Sequence, residues 1–180
     1  GVVARHAAAA TLAAVAAAVP LARLRAEVAD GLATEASFRA LDGEEGGDAP
    51  SPAPPHPTLA LVASLAAWFK ADPAGFAWVD APPCAACGGP TSHAGNSTHV
   101  SPAEAAGLAG LVELYRCAGQ CGGPSSSPTR FPRLNCPVAL WRRTARRGRC
   151  GEWANAFGAL LAAAGLEARH VVDVGGDHVW

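Results

Sequence analysis

Two short-spaced cysteine pairs, Cys84-x-x-Cys87 and Cys117-x-x-x-Cys121, constrain this chain more than any other feature. Each pair sets two soft ligands on one knuckle, and two knuckles build a tetrahedral four-sulfur site suited to Zn2+. Gly88-Gly89 and Gly122-Gly123 follow the pairs directly, as a tight backbone turn around a metal requires. Residues 84–121 hold few large apolar side chains, so a metal would supply the cohesion there. Two disulfides in a secreted protein are the competing reading. The two further cysteines, Cys136 and Cys150, and the lack of a clear signal peptide argue against it. His93 and His99, between the pairs, are alternative ligands, although each reads first as a loop residue. A closed four-cysteine site leaves no open position for substrate, so a metal here is structural.

The second informative segment starts at Cys150. Trp153, Phe157, Leu160, Leu161 and Ala164 recur at helical spacing, and Gly165 stands where a helix ends. Cys150 therefore falls at a helix start, where unpaired N–H groups and the helix dipole favour a thiolate. The arginines nearby act in the same sense. Glu167 to Val174 reads as a strand, Gly175-Gly176 as a turn, and His178 lies on or beside the next strand. A cysteine on a helix start with a histidine on a neighbouring strand can run nucleophilic catalysis. Cys136 has no such setting and reads as a packed thiol, while His56 and His170 read as incidental.

The rest of the chain gives organisation. Residues 1–41 are helix-prone, with an Ala-rich run broken at Pro20; 42–57 are rich in Gly, Pro and acids and read as a flexible linker. The Ala-rich run is too short and too weakly apolar for a transmembrane helix, and reads as an ordinary helix rather than a signal peptide. Leu59, Val62, Leu65, Ala66 and Phe69 give another amphipathic helix, ending near Asp72-Pro73. Within 84–121 only Gly107 to Tyr115 has strand character. The formal net charge of −1 gives no general pull toward nucleic acid or acidic membranes. Arg142, Arg143, Arg146, Arg147 and Arg149 form the one dense charge run and read as a solvated face, because no stacking platform accompanies them. Asn96-Ser97-Thr98 has the glycosylation acceptor pattern.

Arg147-Gly148-Arg149-Cys150-Gly151-Glu152-Trp153-Ala154-Asn155, followed by Asp177-His178-Val179-Trp180, resembles the catalytic segment of peptide:N-glycanases. The resemblance extends through Phe131-Pro132-Arg133, Asn135, Pro137-Val138, Trp68-Phe69-Lys70, Trp78-Val79 and Pro83-Cys84 with Cys87. It implies an α+β fold: a transglutaminase-like, papain-related core over 58–180, incomplete on its C-terminal side, with a zinc-knuckle subdomain over 84–121. The family's second cysteine pair is usually Cys-x-x-Cys, so Cys117-x-x-x-Cys121 departs by one residue.

The resemblance implies Cys150 as nucleophile, His178 as its base and later acid, and Cys84, Cys87, Cys117 and Cys121 as zinc ligands. It suggests the Cys150 N–H and the Trp78 indole N–H as oxyanion donors, with a core aromatic as the other reading of Trp78. Arg169 matches a family arginine near the active site, either contacting substrate or acting as a buried partner to an acid. The orienting Asp is expected beyond Trp180, and neither Asp173 nor Asp177 takes its place, so the 180 residues alone are expected to be inactive. The implied activity is hydrolysis of the β-aspartylglucosamine bond of N-linked glycans on misfolded glycoproteins, in the cytoplasm and nucleus, beside proteasome-shuttle proteins. Neither a membrane nor nucleic acid is an expected partner. A protein-glutamine transglutaminase is disfavoured by the zinc knuckles and the Trp153-Ala154-Asn155 context. A catalytically silent transglutaminase-like binding module for DNA or protein partners is disfavoured because Cys150 and His178 are both present.

Overall fold

The computed structural model describes residues 1–42, 53, 55–119, 121, 127–142, 146–173, 175 and 178–179. The chain forms two compact units: Val19–Gly75, and Gly1–Ala18 together with Phe76–Trp180. This partition differs from the expected 1–41, 42–57 and 58–180. The first two helices belong with the Cys150 segment, because their apolar faces are covered there. The helix expected to open the catalytic core belongs instead with the helix before it. Most of the linker lies outside the described residues, and the preceding helix runs on to Asp42.

The Val19–Gly75 unit is a helix pair, α3 (Leu21–Asp42) packed on α4 (Pro57–Ala71). Leu24 and Leu65 are buried. Helix α4 starts on Pro57 at its first turn, with the His56 ring accepting from the Thr58 N–H, and stops where Asp72 leaves helical geometry. An exposed Arg23–Glu27 pair and a half-buried Arg39–Glu35 pair each join residues one turn apart along α3. No single helix among the described residues is long and apolar enough to cross a membrane; one bent helix pair is, by length and composition only.

The other unit is built around α7 (Cys150–Ala163), which ends as expected, with Gly165 at φ +71° just past the last turn. Helices α1 (Val2–His6) and α2 (Ala9–Ala16) pack on α7 and bury His6, Thr11 and Val15. Short α6 (Pro137–Leu140) closes another side, and the indole N–H of buried Trp141 donates to the Ala156 carbonyl at 3.1 Å. The buried face of α7 carries Glu152, Asn155, Ala156, Ala159 and Leu160. Trp153, Phe157 and Leu161, which recur at helical spacing, are only half-buried. Small side chains face inward because α1, α2 and α6 approach α7 closely. An added Cβ on Gly158 would lie 2.6 Å from the His6 ring.

The cysteine region is a three-stranded antiparallel sheet in the order β2 (Thr91–Asn96), β3 (Val112–Cys117), β4 (Thr129–Pro132). Only one strand was expected in 84–121, over Gly107–Tyr115; two are present among the described residues, and that one begins at Val112. Its predecessor is α5 (Pro102–Ala106), opened by a reciprocal Ser101–Glu104 capping box. Two-residue strands complete the unit. β1 (Ala77–Trp78) pairs in parallel with β5 (Arg147–Gly148), and β6 (Val172–Asp173) pairs antiparallel with β7 (His178–Val179). The expected strand over Glu167–Val174 is thus confined to its end.

Candidate functional site

The four expected ligands converge. The sulfurs of Cys84, Cys87, Cys117 and Cys121 all lie within 4.8 Å of one another, and they form the one such group among the described residues. Cys84 and Cys121 are 3.3 Å apart, Cys87 and Cys121 3.3 Å, and Cys87 and Cys117 3.6 Å. Tetrahedral zinc with bonds near 2.3 Å would set its sulfurs about 3.8 Å apart, so the group is already near that size. The backbone explains the convergence. Gly88 sits at φ +70°, turning the first knuckle, and the strand pairing Thr91↔Cys117 brings the second beside it. The extra residue in the second pair is absorbed without separating the sulfurs.

The N–H groups of Cys87 and Ala86, with the Cys121 thiol, hold the Cys84 thiol down at about 6. The Gly119 N–H lowers Cys117 too, whereas bonds from Cys84, Cys87 and Cys117 push Cys121 up. Four thiolates cannot share so small a space without a cation, so this donor set fits a metal ion. His93, stacked edge-on to Tyr115, and His99, whose carbonyl accepts from Arg130, stand outside the group.

Cys150 is the first residue of α7 and is half-buried. The helix start is clamped by an ionic network that sequence reasoning did not identify. Glu152, 4% exposed, accepts the Arg149 backbone N–H at 3.0 Å and a two-pronged contact from Arg133 at 2.7 and 2.9 Å. Arg133 and Arg149 both reach Glu113 on β3, at 3.1 and 2.6 Å, and the Tyr115 hydroxyl donates to the same carboxylate at 2.7 Å. Burial pushes the Glu113 carboxyl up, but bonds from Arg149, Tyr115 and Arg133 outweigh it and hold it below the usual carboxylate range. Arg149, expected to support a Cys150 thiolate from a solvated face, is instead committed to Glu113 and to the Val79 and Asp80 carbonyls. Arg142 and Arg147 are exposed, while Arg143 lies outside the described residues.

The β1–β5 pairing sets Trp78 opposite Gly148, two residues before Cys150. Trp78 is 51% exposed, which removes the core-aromatic reading. Its indole N–H donates to the Asp80 carboxylate at 2.8 Å, and its ring meets Trp153 at 6.0 Å, with Phe76 edge-on to Trp153 beyond. An aromatic wall therefore borders the start of α7.

His178 lies on β7, whose backbone packs against α7 and pairs with Asp173. The side chains of His178 and Asp173, and all of Asp177, lie outside the described residues. Arg169 is exposed rather than a buried partner to an acid. It lines a cavity of about 200 Å³ with His6, Phe157, Gly158 and His170.

His170, expected to be incidental, meets His6 in three dimensions. His6 is 4% exposed, and its Nε2 meets the Asn155 Oδ1 at 2.7 Å, while Asn155 donates onward to the Asn135 carbonyl at 2.9 Å. His170 faces His6 at 6.2 Å, and its Nδ1 is buried without a partner among the described residues. Burial first, then His6 and Arg5, lower the His170 imidazole. Cys136 is half-buried at the start of α6, as a packed thiol would be.

A four-cysteine group, a helix-start cysteine tied through Arg149 to the sheet that carries Cys117, and a histidine-bearing strand against that helix together define a class. Residues 111–180 match the model of the Transglutaminase-like superfamily. Within that class it is similar to proteins called peptide-N(4)-(N-acetyl-beta-glucosaminyl)asparagine amidase. It is 40% identical to the one from Oryza sativa subsp. japonica over 90% of this chain and 31% of the relative. Over 67% of this chain it is 43% identical to the Caenorhabditis briggsae protein and 40% identical to that of Saccharomyces cerevisiae, covering 18% and 31% of them. The chain thus spans a third or less of these curated relatives' length.

Proposed function

We propose that the chain carries the nucleophile-bearing part of an amidase that cleaves the bond between an N-linked glycan and its asparagine. The observation that supports this most is the seating of Cys150. It opens α7 under a clamp of four charged side chains, beside Trp78 and against the strand bearing His178. Amide cleavage at such a site needs a nucleophile, a proton carrier and donors to the developing oxyanion.

In this reading His178 takes the Cys150 proton and the sulfur attacks the asparagine side-chain carbonyl. The oxyanion is held by the N–H groups of the first turn of α7. As the tetrahedral adduct collapses, the C–N bond breaks and His178 returns the proton to the leaving glycosylamine. Water then opens the thioester, with His178 taking its proton, and leaves aspartate on the protein. The Trp78 N–H joins the oxyanion donors only by leaving Asp80. Arg169, exposed beside α7, is assigned to substrate contact.

Cys84, Cys87, Cys117 and Cys121 would hold zinc, which fixes the knuckles and takes no part in the reaction. Misfolded N-glycoproteins as substrates, proteasome-shuttle partners and a cytoplasmic and nuclear setting belong to the same proposal. The test is Cys150→Ala in the full-length protein, followed by the gel mobility of a denatured high-mannose glycoprotein. Loss of a nucleophile costs several orders of magnitude. Glycan release at more than about a tenth of the wild-type rate, with the variant folded, would remove Cys150 from that role.

A further inference from the structure

We infer that Glu113 is a positioning residue for Cys150, holding the first turn of the catalytic helix from the cysteine-knuckle sheet. The inference rests on the reading of Cys150 as nucleophile. Glu113 is 6% exposed and belongs to β3, the strand that ends at Cys117. Its Oε1 accepts from Arg133 Nη1 and Arg149 Nη1, both at 3.1 Å; its Oε2 accepts from Arg149 Nη2 at 2.6 Å and the Tyr115 hydroxyl at 2.7 Å.

These bonds close a ring through the chain. Glu113 holds the Arg149 side chain, the Arg149 backbone N–H is held by Glu152, and Glu152 is held by Arg133, which returns to Glu113. Cys150 lies between Arg149, the cap residue before α7, and Glu152 in its first turn, the two positions that the ring fixes. The other prongs of Arg149 grip the carbonyls of Val79 and Asp80, the residues that follow Trp78. One guanidinium therefore sets the nucleophile's helix against both the β3 sheet and the aromatic wall.

The ring holds two acids and two arginines, so it is neutral as a whole. A buried neutral ion network is seldom worth more than the apolar packing it displaces, whereas it fixes one arrangement sharply. Precision matters at this point of the fold, since misplacing a reacting atom by 1 Å costs about a hundredfold in rate.

The experiment compares Glu113→Gln and Arg149→Lys with wild type in the full-length, metal-loaded protein. Iodoacetamide alkylation of Cys150 and of Cys136 is followed by mass spectrometry. Both thiols are half-buried in the same unit, so unfolding accelerates both, while loosening of the α7 start accelerates Cys150 alone. We expect the Cys150-to-Cys136 ratio to change by about fivefold or more in each variant, since the opening is local. We also expect kcat for glycan release to fall about a hundredfold with KM nearly unchanged. If Glu113→Gln does not fold, Arg149→Lys carries the test, because it keeps the charge and loses the fork. An unchanged alkylation ratio in the folded variants overturns the inference. A wild-type protein that releases no glycan would remove the proposed activity, yet the alkylation ratio would still decide the role of Glu113.

Discussion

At Gly148 the absence of a side chain sets how closely α7 can start. A Cβ there would collide with the Cβ of Glu152, which is backed by Arg133 and has no room to retreat. Gly148→Ala is therefore expected to destabilise the protein by about 1–3 kcal/mol, the usual cost of overpacking. Thermal unfolding of the variant beside wild type measures this, and an unchanged midpoint would mean the helix start has slack. His6 raises the complementary case of a lost partner. His6→Ala would leave the buried Asn155 Oδ1 without its 2.7 Å contact, at a cost of about 1–3 kcal/mol. In the sequence His6 stands beside the Ala-rich run with no motif around it. Nothing in the linear sequence ties it to a residue 149 positions away.

The elements divide by whether their chemistry is local. Helix α7 was legible because its apolar residues repeat at helical spacing and Gly165 ends it; α4 was legible for the same reason. The cysteine knuckles were legible because ligand spacing is written in the chain. Strands β1, β5, β6 and β7 have two residues each, too few for any alternation to show. The Glu113–Arg133–Arg149–Glu152 network was not legible either, since its ion pairs lie 19 to 36 residues apart. One local hint existed: Glu152 stands three residues after Arg149, the spacing from which a side chain reaches back to a helix-start N–H.

That network carries a pH signature. The Glu113 carboxyl lies below its ordinary value of 4.5 when folded. Its contribution is thus complete above about pH 4.5 and is lost as the pH falls through the lower folded value. The stability gap between wild type and Glu113→Gln should hold steady above that point and shrink below it. Thermal midpoints across a pH series check this, and a gap that widens toward acid would contradict it. The knuckle element is tested by metal analysis of reduced protein. Zinc near one per chain is expected, and Cys84→Ala or Cys121→Ala should unfold the segment, because structural zinc contributes roughly 10–16 kcal/mol of apparent binding free energy.

At the scale of the molecule, the unit that holds Cys150 is discontinuous in sequence. The chain leaves it after Ala18 to form the α3–α4 pair and returns at Phe76. The α+β class and the segment that matches the transglutaminase-like model were legible from motifs, whereas this return was not, because an Ala-rich helix carries no pattern that names its partner. Helices α1 and α2 cover α7 with His6, Thr11 and Val15, all buried. Deleting residues 1–18 should therefore lower the unfolding midpoint by several degrees, more than removal of a solvated tail would. Burial of Val15 alone, at roughly 1.5–3 kcal/mol, sets that scale, and the α7 face it covers would be exposed as well. An unchanged midpoint would mean the two helices are only leaned against α7.

The central claim is that Cys150 begins an amidase reaction at the glycan–asparagine bond. A glycopeptide is incubated with the full-length protein in heavy-oxygen water, and the peptide product is weighed by mass spectrometry. The account predicts aspartate at the former glycosylation site, carrying one solvent oxygen, and no such product from Cys150→Ala. A product that keeps asparagine with its first sugar, or an aspartate product formed equally well by Cys150→Ala, would contradict it.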